Sequence, residues 1–338
     1  MALEPRDLVV VGASAGGVGA LRSFVAGLPP NLPAAVVVVL HLPAGGTSAL
    51  PAILTRSGQM PAVSTRHGMA LEPGRLYVAP PDHHVVVDDG VLVLSHGPTE
   101  NGHRPAVDAL FRSAALARGP RMIGVVLSGA LDDGTAGMVA IASGGGMTIV
   151  QDLNDELYHG MPAGALRHVR VDHVLPAADM GAVVRRYAGE LVETSDVEPP
   201  SALLRVETRL AAHGPGNEAR AVGDSSGFSC PDCQGTLVEL DAERTRYRCR
   251  VGHAWTADAL LDAQGGTLER ALWTALRTLE EKVSLARKMR MDALNRGSER
   301  LAERYALTEE ESAHAADVLR GYLLSDPVGE QAHADRSS

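Results

Sequence analysis

Up to about residue 190, short apolar runs rich in valine and isoleucine alternate with longer segments rich in alanine and leucine. This alternation is typical of parallel β-strands whose two faces are covered by helices. The predicted strands are residues 8–11, 35–40, 75–78, 122–127, 147–150 and 173–175. The predicted helices between them are residues 19–28, 48–56, 106–118 and 136–143. We therefore expect residues 1–190 to form an α/β domain with a doubly wound, mostly parallel sheet.

A different pattern interrupts this array near residue 90. Residues 85–87 and 91–94 are two short apolar runs, and Asp88-Asp89-Gly90 lies between them. Aspartate and glycine favour the backbone conformations that a tight turn requires. The pattern predicts a small antiparallel β-hairpin inserted in the parallel sheet.

Beyond residue 190 the pattern changes again. Residues 191–226 are rich in proline, glycine, serine and charge and cannot bury much apolar surface, which predicts a flexible linker. A cysteine-bearing module follows at residues 227–265, a helical hairpin at residues 266–326 and a disordered tail at residues 327–338.

The helical region shows apolar residues at spacings of three and four between Leu268 and Val283, and this stripe continues toward Met289. Such a stripe fits either the core of a helical hairpin or the seam of a dimer, and the spacing leaves both open. Thr308 and Glu311 fit a capping box, which predicts the start of a second helix.

The charge balance argues against non-specific binding to negatively charged partners. The chain has 31 lysine and arginine residues against 41 aspartate and glutamate residues, a formal net charge of −10. This balance excludes non-specific attraction of the whole chain to nucleic acid or anionic membranes. The longest apolar run, residues 32–40, is far shorter than the roughly 20 residues that span a bilayer, and the first residues do not resemble a signal peptide. We therefore predict a cytoplasmic protein without membrane insertion.

A glycine-rich turn, residues 12–17, follows the first predicted strand and precedes a helix. One interpretation is a dinucleotide-binding loop, since such glycines let a pyrophosphate approach a helix N-terminus. That interpretation expects an acidic residue at the end of the second strand, but this strand ends in His41. The dinucleotide interpretation therefore lacks the acidic residue that it requires.

The other interpretation makes Ser14, in the same turn, a nucleophile. A serine hydroxyl needs a positioned base, and the base needs an orienting carboxylate. His41 ends the second strand, and Asp132 and Asp133 follow the strand at residues 122–127. Because the carboxyl ends of parallel strands meet at one edge of a sheet, these side chains are expected to converge.

A series of motifs in this region resembles the chemotaxis-type protein-glutamate methylesterases (CheB). The motifs are Gly12-Ala-Ser-Ala-Gly-Gly17, His41-Leu-Pro43, Tyr77-Val-Ala-Pro80, Asp82-His-His84, His103-Arg-Pro-Ala-Val-Asp108, Leu127-Ser-Gly-Ala-Leu-Asp-Asp-Gly134 and Gly160-Met-Pro162. The resemblance covers roughly residues 7–185. It implies a domain that hydrolyses glutamate γ-methyl esters on chemoreceptors and deamidates certain receptor glutamines. It also implies Ser14 as nucleophile, His41 as general base and Asp133 as the orienting carboxylate.

The sequence departs from the family pattern at three positions beside these residues. Ala15 replaces a usual threonine, Ala130 replaces a usual methionine, and Asp132 stands where asparagine is frequent. Family members usually carry an N-terminal receiver domain, whereas here the first catalytic strand begins at residue 8. We therefore expect no control by a receiver domain within this chain.

Three cysteines and a histidine form a second candidate site. Cys230, Cys233, Cys249 and His253 follow the pattern Cys-x2-Cys-x15-Cys-x3-His. This spacing is typical of a structural zinc ribbon, in which four protein ligands leave no open position for catalysis. Three buried or redox-active cysteines are the alternative interpretation.

Alternate positions of one predicted ribbon strand carry arginine. These residues are Arg244, Arg246, Arg248 and Arg250. An anionic or nucleic-acid ligand is one interpretation of this face. A solvated outer face is favoured, because acidic residues lie just upstream and the C-terminal part has no net positive charge.

Together these features predict a serine hydrolase of the protein-glutamate methylesterase type, with no cofactor for catalysis. The C-terminal module is expected to bind a regulatory partner or to modulate access to Ser14. One alternative is a non-catalytic signalling adaptor that docks receptor tails. Another is a zinc-ribbon regulator that binds nucleic acid, which the acidic charge disfavours. The order Ser14, His41, Asp133 differs from that of lipase-type and chymotrypsin-type hydrolases.

Overall fold

A computed structural model describes residues 3–195, 199–214, 223–241 and 245–325. The chain separates into two compact units, Met1–Leu260 and Leu261–Ser338. The strands are β1 (Leu3–Pro5), β2 (Leu8–Ala13), β3 (Ala35–Leu40), β4 (Ala62–Ser64), β5 (Met69–Ala70), β6 (Leu76–Val78), β7 (His84–Asp88), β8 (Val91–Ser95), β9 (Met122–Val126), β10 (Met147–Gln151), β11 (His173–Leu175), β12 (Leu191–Glu193), β13 (Ser225–Ser229), β14 (Thr236–Glu239), β15 (Arg246–Cys249) and β16 (Ala254–Thr256). The helices are α1 (Gly17–Ala26), α2 (Leu50–Ser57), α3 (Val107–Arg118), α4 (Thr135–Ser143), α5 (Gly160–His168), α6 (Ala177–Tyr187), α7 (Ala202–His213), α8 (Ala257–Asn295) and α9 (Glu299–Leu324).

The centre of the first unit is a seven-stranded sheet with the order β11-β10-β9-β2-β3-β6-β4. Every pairing within it is parallel. Each residue of β2, β3, β9 and β10 is buried, because helices cover both faces of the sheet. This arrangement confirms the predicted α/β class and explains why the strands are continuously apolar.

Alternate side chains of the central strands enter two separate cores. Val9 and Val11 of β2 pack with residues of α1, α2 and α6 on one face. Leu8 and Val10 pack with residues of α3, α4 and α5 on the other. The sheet order changes direction at β2, since β3 lies on one side of it and β9 on the other. In sheets of this kind such a switch point is the usual place of a ligand or active site.

The predicted hairpin is present as β7 and β8, which pair antiparallel. It belongs to a separate three-stranded sheet with the order β5-β8-β7 rather than to the parallel array. Its strands pack against α3 and α7, whose apolar side chains complete the burial of β7.

The predicted linker, residues 191–226, contains more structure than its composition indicates. β12 pairs with β1, and α7 packs against α3, β7 and β8. Leu210 and Ala211 give α7 a buried apolar side that the surrounding proline- and glycine-rich sequence obscures. Residues 196–198 and 215–222 of this segment lie outside the described residues.

The cysteine-bearing module is a four-stranded antiparallel sheet with the order β13-β14-β15-β16, which we call the ribbon. It belongs to the same compact unit as the parallel sheet. The sequence-based division treats it as a separate module joined by a flexible linker. The contacts that join it to the α/β domain connect residues far apart in sequence.

The second unit is a helical hairpin made by most of α8 and by α9. The seam between the helices contains the buried small residues Ala286, Ala293, Ala302 and Ala316. Ion pairs at its border join Arg287 to Glu309 and Arg320 to Glu280.

Two details of the predicted hairpin differ from the structure. Leu276 lies in the buried seam, but Leu268 and Met289 are exposed. The second helix begins at Glu299, and Thr308 lies inside it with its hydroxyl donating to the Arg304 carbonyl. The capping-box prediction is therefore wrong, because the hydroxyl serves the preceding turn of the same helix. The predicted tail, residues 327–338, lies outside the described residues.

Within the described ranges, every helix is either too short or too polar to cross a bilayer.

Candidate active site

Ser14 follows β2 directly and precedes α1, so it occupies a sharp turn at the carboxyl edge of the sheet. Gly16 has a φ of 73°, a conformation that glycine adopts without strain. A Cβ on Gly129 would lie 3.0 Å from the Cβ of Ser14 and 2.1 Å from the sulfur of Met161. The Ser14 N–H donates to the Ser128 carbonyl at 3.0 Å. Two glycines and a cross-strand hydrogen bond therefore fix the position of the serine.

His41 follows β3, the neighbouring strand, and its side chain is only 6% exposed. Its Nδ1 lies 3.0 Å from Ser14 Oγ, and its Nε2 lies 2.7 Å from Oδ2 of Asp133. An ionised carboxylate only accepts hydrogen bonds, so Nε2 carries the proton. The lone pair of Nδ1 then accepts the hydrogen bond that the Ser14 hydroxyl donates.

Asp133 lies in the loop between β9 and α4, and its side chain is 1% exposed. Its carboxylate accepts the N–H groups of Val107 at 2.7 Å, Asp108 at 3.1 Å and Gly134 at 3.0 Å. Val107 and Asp108 begin α3, so the negative charge also faces the positive end of a helix. Burial alone would raise the pKa of Asp133, but hydrogen bonds from His41 and the backbone hold it well below its usual range. The carboxylate is therefore ionised.

The structure thus brings Ser14, His41 and Asp133 into one hydrogen-bonded chain. They come from the ends of three adjacent strands, β2, β3 and β9, at the switch point of the sheet. Asp132, the neighbouring carboxylate, does not contact His41. Its Oδ1 accepts a hydrogen bond from the hydroxyl of Thr256 at 2.6 Å.

Two further residues lie beside the hydrogen-bonded residues Ser14, His41 and Asp133, and the sequence analysis assigned neither of them a role. The ring of His103 stacks on the ring of His41, with centroids 3.7 Å apart and an angle of 17° between the planes. Burial, with a smaller contribution from His41, lowers the pKa of His103 to about 4. The amide of Asn101 lies 3.5 Å from Oδ1 of Asp133. His103 opens one of the motifs noted above, but neither contact follows from the sequence.

The backbone beside Ser14 offers candidate donors for a negatively charged oxygen. The N–H groups of Ala15 and Gly16 lie at the N-terminal end of α1, immediately after the serine. Among the described residues, no protein acceptor engages either group. Free N–H groups at a helix N-terminus favour an anion.

Two polar residues of the family motifs serve the surrounding structure. His84 is fully buried, and its ring nitrogens contact the Pro98 carbonyl at 2.9 Å and the Ala106 N–H at 3.3 Å. Arg104 donates twice to Oδ1 of Asp82. Both residues therefore hold loops in place and do not contact the Ser14–His41–Asp133 chain.

The four predicted metal ligands also meet. The ligand atoms of Cys230, Cys233, Cys249 and His253 all lie within 4.8 Å of one another. Sγ of Cys233 and Sγ of Cys249 are 3.6 Å apart, and Nδ1 of His253 lies 3.5 Å from Sγ of Cys249. Four ligands around a zinc ion at about 2.3 Å would place sulfur atoms about 3.8 Å apart, close to this spacing. This cluster could hold a metal ion.

The favoured interpretation of the ribbon arginines, a solvated face, is wrong for two of them. Arg246 and Arg248 of β15 both donate to Oε1 of Glu207 in α7, and Arg248 is 5% exposed. Arg250 is exposed, and Arg244 lies outside the described residues. The two guanidinium groups are held by an internal carboxylate and do not form a surface for nucleic acid.

The first domain is similar in sequence to proteins of a known family. Residues 9–184 match the family described as CheB methylesterase. A protein-glutamate methylesterase/protein-glutamine glutaminase of Symbiobacterium thermophilum is 38% identical over 190 residues, which cover 55% of this chain and 52% of that protein. A second relative with this name, from Anaeromyxobacter dehalogenans, is 38% identical over 179 residues, covering 53% of this chain and 52% of that protein. This chain therefore spans about half the length of these curated relatives.

A solved structure shows the same fold. The CheB methylesterase catalytic domain of Thermotoga maritima is 32% identical in sequence and superimposes with a TM-score of 0.51. The superposition covers 53% of this chain and 97% of that domain. The matched family region contains Ser14, His41 and Asp133 and takes up more than half of the 338 residues. This protein therefore belongs to the CheB methylesterase family.

Proposed function

We propose that this protein hydrolyses glutamate γ-methyl esters on chemoreceptor-type proteins, with Ser14 as nucleophile. The observation that carries the proposal is the hydrogen-bonded chain from Ser14 Oγ through His41 to Asp133, with distances of 3.0 Å and 2.7 Å. A serine, a neutral imidazole and a buried carboxylate in this order are the groups that ester hydrolysis requires. The names of the relatives point to the same reaction.

The reaction begins when Nδ1 of His41 takes the Ser14 proton and Oγ attacks the ester carbonyl carbon. The N–H groups of Ala15 and Gly16 are the candidate donors for the oxyanion that forms. His41 then returns the proton to the methoxy oxygen, so methanol leaves and the glutamyl group stays on Ser14. Water, activated by His41, attacks this acyl-enzyme and releases the glutamate side chain.

Asp133 keeps the His41 proton on Nε2 and stabilises the imidazolium that forms in each step. Deamidation of glutamine follows the same course, with ammonia leaving in place of methanol. The curated relatives are named for both activities. Neither reaction requires a cofactor.

Methanol release from methyl-esterified receptor membranes tests the proposal. The wild-type chain is expected to release methanol, and Ser14→Ala is expected to lower the rate about 10⁶-fold. Ser143→Ala, a replacement at the end of α4 away from the sheet edge, is the matched control and keeps the wild-type rate. A wild-type chain that binds the receptor without releasing methanol would contradict hydrolysis and favour the signalling adaptor.

We propose further that Cys230, Cys233, Cys249 and His253 bind a structural zinc ion. Their ligand atoms already lie within 4.8 Å of one another, and all three cysteines of the chain take part. Thiolate and imidazole ligands favour zinc, and four of them leave no position open for a substrate. Metal binding would supply much of the free energy that folds so small a sheet.

Metal analysis of the purified chain tests this second proposal. We expect one zinc ion per chain, and Cys230→Ser is expected to weaken its retention and unfold the ribbon. Ser229→Ala, which changes the exposed neighbouring residue, keeps the metal. A zinc content near zero in the folded wild-type protein would refute the zinc site.

The place of action follows from the same proposal. The proposed zinc ligands are reduced cysteines, and thiols are kept reduced in the cytoplasm, so the protein is proposed to act there. The internal pairing of Arg246 and Arg248 with Glu207 argues against nucleic acid as the partner of the ribbon.

A further inference from the structure

The loop at residues 99–103 contacts both proposed partners of Ser14. At its end, His103 stacks on the imidazole of His41 at 3.7 Å. At its centre, the amide of Asn101 lies 3.5 Å from Oδ1 of Asp133. Any movement of this loop therefore changes the surroundings of the His41–Asp133 pair.

The loop has an unusual backbone. Asn101 and Gly102 have φ values of 51° and 72°, in the left-handed region. Asparagine is one of the few residues with a side chain that adopts this conformation readily. Glu100 and His103 join the ends of the turn by two backbone hydrogen bonds. Glu100 is anchored by the buried Arg112, which donates to its carboxylate at 2.7 Å and 2.5 Å.

The ribbon holds the opposite side of the same loop. Strand β16 pairs with it through the Asn101 N–H, which donates to the Ala254 carbonyl at 2.8 Å, and the Ala254 N–H, which donates to the Thr99 carbonyl at 3.2 Å. The Thr256 N–H donates to the side-chain oxygen of Asn101 at 2.8 Å. The Thr99 hydroxyl donates to Asp232, beside the first ribbon cysteines. The loop thus pairs with the edge strand β16 and extends the sheet of the ribbon.

A second contact reaches the loop that carries Asp133. The hydroxyl of Thr256 donates to Oδ1 of Asp132 at 2.6 Å and accepts the Ala259 N–H at 3.2 Å. Asp132 is bonded directly to Asp133. One residue of β16 therefore contacts the site by two routes, through Asn101 and through Asp132.

The ribbon is also fixed farther from the site. Arg248 of the ribbon and Glu207 of α7 form a buried ion pair at 2.7 Å. Arg112 of α3 is buried near the same carboxylate, with its Nε 3.9 Å from Glu207. Separating the ribbon from the domain would expose or unpair these charges, which is costly. The docked arrangement is therefore a stable part of this unit.

We propose that the ribbon is a component of the active site, and that Asn101 is a positioning residue through which β16 sets the orientation of Asp133 and His41. The inference rests on the proposed hydrolysis by Ser14. Asp133 keeps three backbone donors from Val107, Asp108 and Gly134 whatever the ribbon does. Loss of the ribbon contact is therefore expected to impair the geometry of the His41–Asp133 pair without abolishing it.

Two full-length variants test the positioning role by steady-state hydrolysis. Asn101→Gly keeps the left-handed backbone but removes both side-chain hydrogen bonds, and is expected to lower kcat about tenfold with KM within about twofold. Thr256→Val keeps the side-chain shape but removes the hydroxyl, and is expected to lower kcat about threefold, with recovery in Thr256→Ser. Thr236→Val, on an exposed position of the ribbon strand β14, is the matched control and keeps wild-type values.

A third variant separates docking from positioning. Asn101→Asp keeps the oxygen that accepts the Thr256 N–H but replaces the amide beside Asp133 with a carboxylate. The added negative charge stabilises protonated His41, so the acid limb of the kcat/KM profile is expected to move to higher pH. The other titratable side chains around Asp133 are not substituted in this variant; they are His41, His84, His103, Asp108 and Asp132. An unchanged limb would show that the side chain at position 101 does not face the His41–Asp133 pair.

Hydrogen exchange provides a readout that does not depend on activity. The Asn101 amide is protected in the wild type by the Ala254 carbonyl. Its exchange is expected to accelerate in Asn101→Gly at the same position and in Thr256→Val, while amides of β2 and β3 keep their protection.

The possible outcomes separate this inference from the proposed function. A wild-type chain without hydrolysis contradicts the proposed function itself. An active wild type whose Asn101→Gly and Thr256→Val variants keep wild-type kcat overturns the positioning role. An unshifted acid limb in a folded Asn101→Asp protein overturns it as well.

Discussion

Replacement of Asp133 by asparagine provides the sharpest test of the proposed site, because the structure determines which way the new amide turns. Oδ2 of Asp133 accepts from His41 Nε2 and the Val107 N–H, and Oδ1 accepts from the Asp108 and Gly134 N–H groups and, at 3.5 Å, from the Asn101 amide. An asparagine offers one oxygen and one NH2 group for these two places. Whichever way it turns, its NH2 group faces a backbone N–H.

The two orientations differ in cost. With NH2 at the Oδ1 place, it faces two backbone donors, those of Asp108 and Gly134. With NH2 at the Oδ2 place, it faces only the Val107 N–H, because the imidazole of His41 can move its proton to Nδ1 and accept at Nε2. Each unrelieved donor–donor contact in a buried site costs about 1–3 kcal/mol, so the second orientation is favoured.

This orientation disables the proposed base. A proton on Nδ1 leaves no lone pair facing the Ser14 hydroxyl, which lies 3.0 Å away. A wrong histidine tautomer of this kind lowers kcat by about 10⁴ in a serine hydrolase, or about 5.5 kcal/mol in the activation free energy. We expect Asp133→Asn to reduce methanol release by about this factor while the circular dichroism spectrum stays that of the folded chain.

Asp132→Asn is the matched control at the adjacent position. Oδ1 of Asp132 accepts a hydrogen bond from the Thr256 hydroxyl at 2.6 Å, and an amide oxygen accepts the same bond. Burial already raises the pKa of Asp132, so a neutral amide suits the site. We expect kcat to stay within about threefold of wild type. Equal losses in the two variants, or a larger loss in Asp132→Asn, would refute the assignment of the orienting carboxylate.

Three further predictions concern catalysis, acid stability and burial. Ser14→Ala and His41→Ala are expected to lose equal activity, and the double variant to lose no more, because the two residues act as a unit; additive losses measured by methanol release would contradict this. The low pKa of His103, about 4, means that the unfolded chain gains a proton below pH 6.5 that the folded protein does not. The free energy of unfolding should therefore fall by about 3 kcal/mol from this group as the pH drops toward 4, and His103→Gln should remove this dependence in urea titrations at stepped pH. Glu207→Ala leaves the buried guanidinium group of Arg248 without a carboxylate partner and is expected to cost about 3–5 kcal/mol in urea unfolding. Glu281→Ala, in an exposed pair with Arg277, is expected to cost below about 0.5 kcal/mol, and equal costs would show that the buried ion pair does not contribute to stability.

The sequence predicted the central sheet closely because its strands are buried on both faces. The continuous apolar run Ala35–Leu40, for example, begins and ends where the structure places it. The short outer strands β4 and β5 were not predicted, since strands of two or three residues have no detectable periodicity. The membership in the methylesterase family is confirmed, whereas the catalytic and zinc assignments stay predictions.

The C-terminal part was harder to predict, because its composition conceals its contacts. Helix α7 lies in sequence that indicates a linker, yet Glu207 in it is fully buried against arginines of the ribbon. The bond from Thr256 to Asn101 joins residues 155 positions apart. Patterns within a short window carry no information about such pairs.

The sequence by itself determined the order of the strands along the chain, the glycine turn around Ser14 and the spacing of the four metal-ligand candidates. These features depend on a few neighbouring residues, through strand propensity, glycine conformation and ligand spacing. The strand order alone left Asp132 and Asp133 open, and the family resemblance pointed to Asp133, whose Oδ2 lies against His41 Nε2 in the structure. Only the tertiary structure decided that Nδ1 of His41 faces the serine and that the ribbon holds the loop beside them. These features depend on distances of a few ångströms between side chains far apart in sequence, and only the packing of the folded chain sets them.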